Sequence, residues 1–242
     1  MTKAIILAAG RGSRMKHLTD DKPKCLNELH GKPLLQYQLD ALRGAGITEI
    51  GIVSGYQREK LQPFGLYEFF NERWAQTNMV SSLECAASWL GSDTVIVSYS
   101  DIFYDASAVT ALLNCEAQLA VAYDPQWLSQ WQGRFADPLS DAETFRIDEN
   151  QRLLEIGNKP NAISEVQGQY MGLLKFTPQA WQQVRLLRAG LTPDQQDRMH
   201  MTGTLQLLLS DFVVTAVPYS GQWGEIDSET DMQFFSTART AS

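Results

Sequence analysis

Three short runs decide which architectures this chain can adopt. "KAIILA" (3–8), "EIGIVSG" (49–55) and "TVIVSYS" (94–100) are nearly continuous apolar stretches rich in β-branched residues. A strand with one wet face alternates polar and apolar positions, whereas a strand apolar throughout is covered on both faces, as parallel strands are when crossover helices flank the sheet. The intervening segments supply those helices. "PLLQYQLDALRGAG" (33–46) sets Leu34, Leu35, Leu39 and Leu42 at helical spacing, with Pro33 to open it and Gly44 and Gly46 to close it. "MVSSLECAASWLG" (79–91) and "ASAVTALLNC" (106–115) read as further helices. The order predicts an α/β fold with a doubly wound, mostly parallel sheet, in which ligands sit at the carboxyl ends of the strands.

The pattern changes after "AQLAVAYD" (117–124), where Pro, Trp, Gln and Asp become frequent. "TFRIDENQRLLEIG" (144–157) predicts a hairpin turning at Glu149, Asn150 and Gln151, and "GQYMGLLKFT" (168–177) another strand. Helices are expected near 178–189 and 202–211, a strand at 213–218 and a last helix from Ser228. With no linker or repeat, the expected organisation is one domain, 1–242, carrying a small antiparallel lid region at about 125–175.

A net charge of −8 argues against attraction to nucleic acid or anionic membrane, so any phosphate binding must come from a local cluster. Such a cluster exists: Arg11, Arg14, Lys16, Lys22 and Lys24 face only Asp20 and Asp21. Cys25, Cys85 and Cys115 form no CxxC pair, which argues against disulfides or a thiolate zinc site. No stretch approaches the roughly 18 apolar residues of a membrane helix, and the apolar start is too short for a signal peptide. The expected location is cytoplasmic, and the oligomeric state is left open.

The strand ending in Ala8 and Ala9 opens into Gly10, Arg11, Gly12, Ser13 and Arg14. Small residues let backbone N–H groups approach a ligand and the cations supply charge, which suits a triphosphate. GxxxxGK[ST] is absent, and GxGxxG breaks at Met15. The remaining pattern, Ala8, Ala9, Gly10, Gly12, Ser13 and Arg14 followed by Pro23 and Lys24, resembles the signature of nucleotidyltransferases that make nucleoside-diphosphate sugars and cytidine-diphosphate alcohols. Further landmarks follow in order: Asp101, "NKP" with Lys159, and "EID" with Asp227. The resemblance implies a Rossmann-like nucleotidyltransferase fold, with Leu7, Ala8, Ala9, Gly10, Gly12, Ser13 and Arg14 against the nucleotide and Lys24 on its α-phosphate. Read alone, the loop is also compatible with a plain glycine turn bearing a solvated basic face.

The resemblance also implies that Asp101 and Asp227 hold Mg²⁺, with Glu225 a weaker third candidate. Read locally, Asp227 serves equally as a helix cap, and Asp105 reads as one. Asp101, Asp227, Lys24 and Arg14 form the expected catalytic set. The implied reaction is attack by a phosphate or phosphonate oxygen on the α-phosphorus of a nucleoside triphosphate, with loss of pyrophosphate. A phosphomonoester has a second pKa of about 6, so no general base is required, and His17, His30 and His200 are expected to be structural or exposed. Lys159 matches the lysine that grips the acceptor phosphate, or is a turn lysine before Pro160.

Asn78 and Ser82 are expected at the base or ribose, with Asn78 equally readable as a cap. The compact length and Gly55–Tyr56 are similar to bacterial phosphocholine cytidylyltransferases, which favours CTP and an amino-alcohol phosphate such as phosphocholine. Trp131 and Tyr170 are the expected head-group residues among the aromatics Tyr123, Trp127, Tyr219 and Trp223 and the carboxylate Asp124, since a cationic head suits aromatic faces; packing of the lid is the other role open to Trp127 and Trp131. Two alternatives remain: a hexose-1-phosphate nucleotidyltransferase using another NTP, and a non-catalytic nucleotide-sensing subunit.

Overall fold

The computed structural model describes residues 1–237. Strand β1 (Thr2–Ala8) leads through a loop and a 3-10 segment, Ser13–Thr19, to a small hairpin of β2 (Glu28–Leu29) and β3 (Lys32–Pro33), then helix α1 (Leu34–Gly44). Next come β4 (Ile50–Ser54), β5 (Tyr67–Phe70), α2 (Met79–Glu84), α3 (Ala87–Leu90), β6 (Thr94–Tyr99), β7 (Ile102–Tyr104) and α4 (Ala106–Asn114). Strand β8 (Leu119–Asp124) precedes α5 (Trp127–Arg134), the hairpin β9 (Phe145–Ile147) and β10 (Leu153–Ile156), and β11 (Gln169–Phe176). The last elements are α6 (Pro178–Ala189), α7 (Pro193–Arg198), α8 (Met201–Leu208), β12 (Thr215–Pro218), β13 (Trp223–Glu225) and α9 (Glu229–Thr237).

Seven strands form one sheet in the order β12-β8-β11-β6-β1-β4-β5. All neighbours are parallel except β11, which runs antiparallel to both β6 and β8. The three apolar runs lie side by side at its centre, β6-β1-β4, and are buried as their composition requires. Ile6, Ile52 and Ile96 join Leu35, Leu39 and Leu42 of α1 in one apolar layer. Ile5, Val53 and Val97 join Leu83, Val184 and Leu205 in the other. Each fully buried aliphatic contributes about 1.5–3 kcal/mol against solvent exposure, so the two layers hold the strand ends that carry the site.

The structure departs from the sequence expectations in several places, among them the short β2–β3 and β7–β13 ladders, which were not anticipated. The run 79–91 is two helices rather than one, and the break lets Trp89 reach the rings of Tyr67 and Phe69. Strand β5 and helix α7 were not anticipated, the latter opened by a capping box between Thr192 and Gln195. Strand β11, expected within the lid, is inserted into the central sheet, as its almost continuous burial demands. The lid therefore lies between β8 and β11, built on α5 and the β9–β10 hairpin, which turns through Asp148–Arg152. No described helix is long and apolar enough to cross a membrane.

Candidate functional site

The carboxyl ends of β1 and β6, the amino end of the antiparallel β11 and the short β7–β13 ladder converge on two adjoining cavities. The first, of about 290 Å³, is lined on one side by Leu7, Ala9, Gly10, Gly12, Ser13, Arg14 and Lys24. Asn78 and Ser82 line it with Trp74, Thr77 and Met79, and Asp101 and Asp227 close it. Alternation along β1 turns Leu7 and Ala9 toward this cavity and Ala8 away from it. The Ala8 side chain is instead buried in the α1-side core.

Gly12 adopts a left-handed φ of 69°, and a Cβ there would stand 2.8 Å from Lys24 Cδ. Only glycine lets the loop lie against the lysine stem. Lys24 follows Pro23 and starts a 3-10 turn closed by Asn27, whose Nδ2 donates to the Lys24 carbonyl at 2.9 Å. Its stem is buried and its ammonium donates to Asp101 Oδ2 at 2.7 Å and to Asp227 Oδ1. Burial opposes the charge on Lys24, but the two carboxylates outweigh it and raise its pKa, so it stays an ammonium at neutral pH. Arg14 pairs with Asp227 Oδ2. Arg11 pairs instead with Asp20 on the surface.

The β7–β13 ladder brings the two aspartates together, pairing Ile102 with Glu225. The Ile226 N–H donates to the Asp101 carbonyl at 2.8 Å. Asp101 Oδ1 is buried without a hydrogen-bond partner, and an orphaned carboxylate oxygen beside a second carboxylate fits a hard divalent cation that keeps few protein ligands. Helix α9 is capped not by Asp227 but by Ser228, whose Oγ accepts from the Asp231 N–H at 3.2 Å. Asp227 is thereby left to the site. Asp105 does cap α4, accepting from Ser107 N–H at 2.9 Å.

At the far end of the cavity, Asn78 caps α2, accepting from the Met79 N–H at 2.7 Å. The buried Asn71 donates to Ser82 Oγ and Thr77 Oγ1, each at 3.0 Å. Ser82 therefore keeps its own proton for a ligand. Tyr56 braces the glycine loop: its N–H donates to Ala9 O at 2.9 Å and its hydroxyl to Thr19 O at 2.8 Å. Asn71, Trp74 and Tyr99 escaped sequence reasoning because each stands alone in its segment.

The second cavity, about 240 Å³, shares Arg14, Met79 and Tyr99 with the first, so the two adjoin. Gly172 has φ 75°, and a Cβ there would meet the Tyr99 ring at 2.8 Å, so a glycine bulge in β11 makes room for that ring. Trp131, Tyr170 and Trp223 line the cavity with Asp141, Glu143, Glu225, Gln169, His200 and Thr202. Trp131 Nε1 donates to Asp141 Oδ2 at 3.2 Å, and the Arg134 guanidinium lies 4.9 Å from the Trp131 ring centre. Tyr170 Oη is buried without a partner. Burial pushes the Asp141 and Glu143 carboxyls up, against the opposing charges of Arg134 and His200 respectively. Glu225 is likewise raised by burial and by Asp101, and it faces this cavity.

Lys159 does not line either cavity. Its ammonium donates to Ser140 O at 2.7 Å and to Leu139 O, tying down the turn just before Asp141. In this structure the ammonium fastens that turn through two backbone carbonyls, which take two of its three N–H donors. Of the other aromatics, Trp127 donates to Val166 O at 3.1 Å and Tyr123 stacks on Phe145, so both pack the lid. Tyr219 is buried in the α1-side core. Asp124 is taken by Trp223 Nε1 at 2.9 Å. His200 caps α8, accepting the Gly203 N–H on Nδ1 at 3.2 Å, and still reaches the cavity.

The profile of the MobA-like NTP transferase domain matches residues 4–191. A CTP:phosphoglutamine cytidylyltransferase of Campylobacter jejuni is 38% identical over 95% of this chain and 97% of its own length. A choline-phosphate cytidylyltransferase of Streptococcus pneumoniae is 36% identical over 42% of the chain and 46% of its own length. Among solved structures, the CTP:phosphocholine cytidylyltransferase of Streptococcus pneumoniae superposes with a TM-score of 0.72 at 20% identity, covering 97% of each chain. The inositol-1-phosphate CTP transferase of T. maritima reaches 0.76 at 19% identity, covering 98% of this chain and 95% of its own. At those identities the structural likeness speaks for the fold.

Proposed function

The chain belongs to the MobA-like NTP transferase family, and from that premise we propose that it transfers CMP from CTP to a small phosphorylated acceptor bearing an amino group, releasing pyrophosphate. The observation that carries this reading is the junction of two unlike cavities: one with Lys24 set between Asp101 and Asp227, the other with three carboxylates. CTP is favoured because relatives named as cytidylyltransferases span different acceptors, phosphoglutamine, choline phosphate and 2-aminoethylphosphonate.

In the reaction an acceptor phosphate oxygen bonds to the α-phosphorus while the bond to the α,β-bridging oxygen breaks and pyrophosphate leaves. The dianionic phosphate needs no base. Lys24 and Arg14 offset the charge that grows on the transferred and departing groups. Asp101 and Asp227 would hold a Mg²⁺ ion, which would supply further neutralisation of the triphosphate. The loop Ala9–Arg14 and residues Asn78 and Ser82 hold the nucleotide in line with the acceptor; such orientation is worth about 7–11 kcal/mol in well-aligned systems.

Among acceptors, phosphoglutamine leads. One face of Trp131 is already covered by Arg134, which leaves less of an aromatic cage for a quaternary ammonium. Asp141, Glu143 and Glu225 instead offer acceptors to an ammonium that has N–H groups. Phosphocholine, whose quaternary nitrogen has no N–H, is the comparator. The test is a pyrophosphate-release matrix with Mg²⁺, crossing four NTPs with phosphoglutamine, phosphocholine, 2-aminoethylphosphonate and hexose 1-phosphates. Release confined to CTP with an amino-bearing acceptor supports the proposal; release only with UTP or dTTP and a hexose 1-phosphate overturns it.

A further inference from the structure

Arg134, at the end of α5, has a side chain only 1% exposed. Its Nε donates to Asp231 Oδ1 at 2.8 Å, and its Nη2 lies 3.8 Å from Glu225 Oε2. The same guanidinium covers Trp131 and bears on Asp141. The close approach of α5 to α9 depends on Gly133, where a Cβ would stand 2.5 Å from the Phe234 ring. The other oxygen of Asp231 faces the opposite way. Oδ2 accepts the Asp227 N–H at 3.1 Å, the Ser228 N–H at 2.9 Å and the Ser228 hydroxyl at 2.8 Å. One buried ion pair thus separates three residues of the acceptor cavity from the backbone that presents the Asp227 carboxylate.

We propose that Arg134 is a positioning residue that couples the acceptor cavity to the cation-holding carboxylate: through Asp231 it orients Asp227, and through Trp131, Asp141 and Glu225 it is tied to the acceptor. This rests on the reading of Asp227 as a cation ligand given above. Groups that orient a metal ligand from behind typically change metal affinity by about 10–100-fold when removed.

The test is Mn²⁺ binding to the enzyme–CTP complex, read by electron paramagnetic resonance of the free ion, alongside steady-state kinetics with phosphoglutamine. Arg134→Met is expected to weaken Mn²⁺ binding about tenfold or more and to raise the acceptor KM, with metal-free CTP binding retained. Asp231→Asn is expected to weaken Mn²⁺ binding and leave the acceptor KM near wild type, because Arg134 keeps its contacts to Trp131 and Glu225. Arg134→Lys, which keeps a cation near Asp231 without the fork, is expected to recover Mn²⁺ binding but not the acceptor KM. If Arg134→Met does not fold, the last two variants carry the test. Wild-type Mn²⁺ binding in folded Arg134→Met or Asp231→Asn overturns the proposal while Asp227→Ala still loses binding; wild-type binding in Asp227→Ala overturns the underlying reading as well.

Discussion

The two cavities meet at Arg14, Met79 and Tyr99 yet are built on opposite electrostatic plans. In the nucleotide cavity the opposed charges pair: Lys24 joins Asp101 and Asp227, and Arg14 joins Asp227. In the acceptor cavity Asp141, Glu143 and Glu225 outnumber the cations, and burial pushes all three carboxyls up. A paired cluster is ready to exchange partners with an incoming polyanion and its cation. An acidic cluster with fewer cations than carboxylates is costly to keep charged when buried, and under the proposed function a cationic acceptor would relieve that cost.

The contrast is broken most severely at Lys24. Lys24→Met is expected to lower kcat by about 10²–10³, the scale for losing one preorganised donor to developing charge, in pyrophosphate-release kinetics at saturating substrates. A wild-type kcat would remove Lys24 from the reaction.

On the acidic side, Glu143→Gln is expected to raise the acceptor KM by roughly 10–100-fold, the worth of about 1.5–3 kcal/mol for a hydrogen bond to a charged group, with the KM for CTP unchanged. The same variant has a stability signature. The native Glu143 carboxyl titrates above the ordinary 4.5, so the native state binds its proton more tightly and loses stability as pH rises from 4.5 through the raised value. Glu143→Gln is therefore expected to gain thermal stability relative to wild type at pH 8 compared with pH 4, in paired melting curves. An equal difference at both pH values would show that Glu143 is not desolvated.

Smaller effects sharpen the boundary. Ser82→Ala is expected to raise the KM for CTP by about 2–10-fold, one neutral hydrogen bond of roughly 0.5–1.5 kcal/mol, and to leave the acceptor KM alone. Lys159→Ala is expected to be the mildest, with kcat and both KM values within the range of surface changes of about 0.5 kcal/mol. A specific rise in the acceptor KM with Lys159→Ala would return that lysine to the acceptor phosphate.

The same contrast explains what could be read in advance. The glycine loop, Arg14 and Lys24 lie within one stretch, and the small residues and cations that phosphate binding needs stand there together. The β6–β1–β4 centre was legible because burial on both faces leaves a continuous apolar run. The acceptor cavity draws Trp131, Asp141, Glu143, Tyr170, His200 and Glu225 from five separated elements and turns. In its own segment each acid resembles any solvated one. The side-chain direction of Ala8 follows from the twofold alternation of a strand, and a lysine that meets two carbonyls, as Lys159 does, looks the same in sequence as one that meets a phosphate.

The most direct measurement is a crystal structure with CTP, Mg²⁺ and phosphoglutamine bound in a Lys24→Met enzyme slowed enough to trap them. The account predicts triphosphate along Gly10–Arg14, the metal between Asp101 and Asp227, and the acceptor amino group against Asp141 and Glu143. Nucleotide seated elsewhere, for instance in the separate apolar cavity beside Phe103, Phe234 and Phe235, would contradict it.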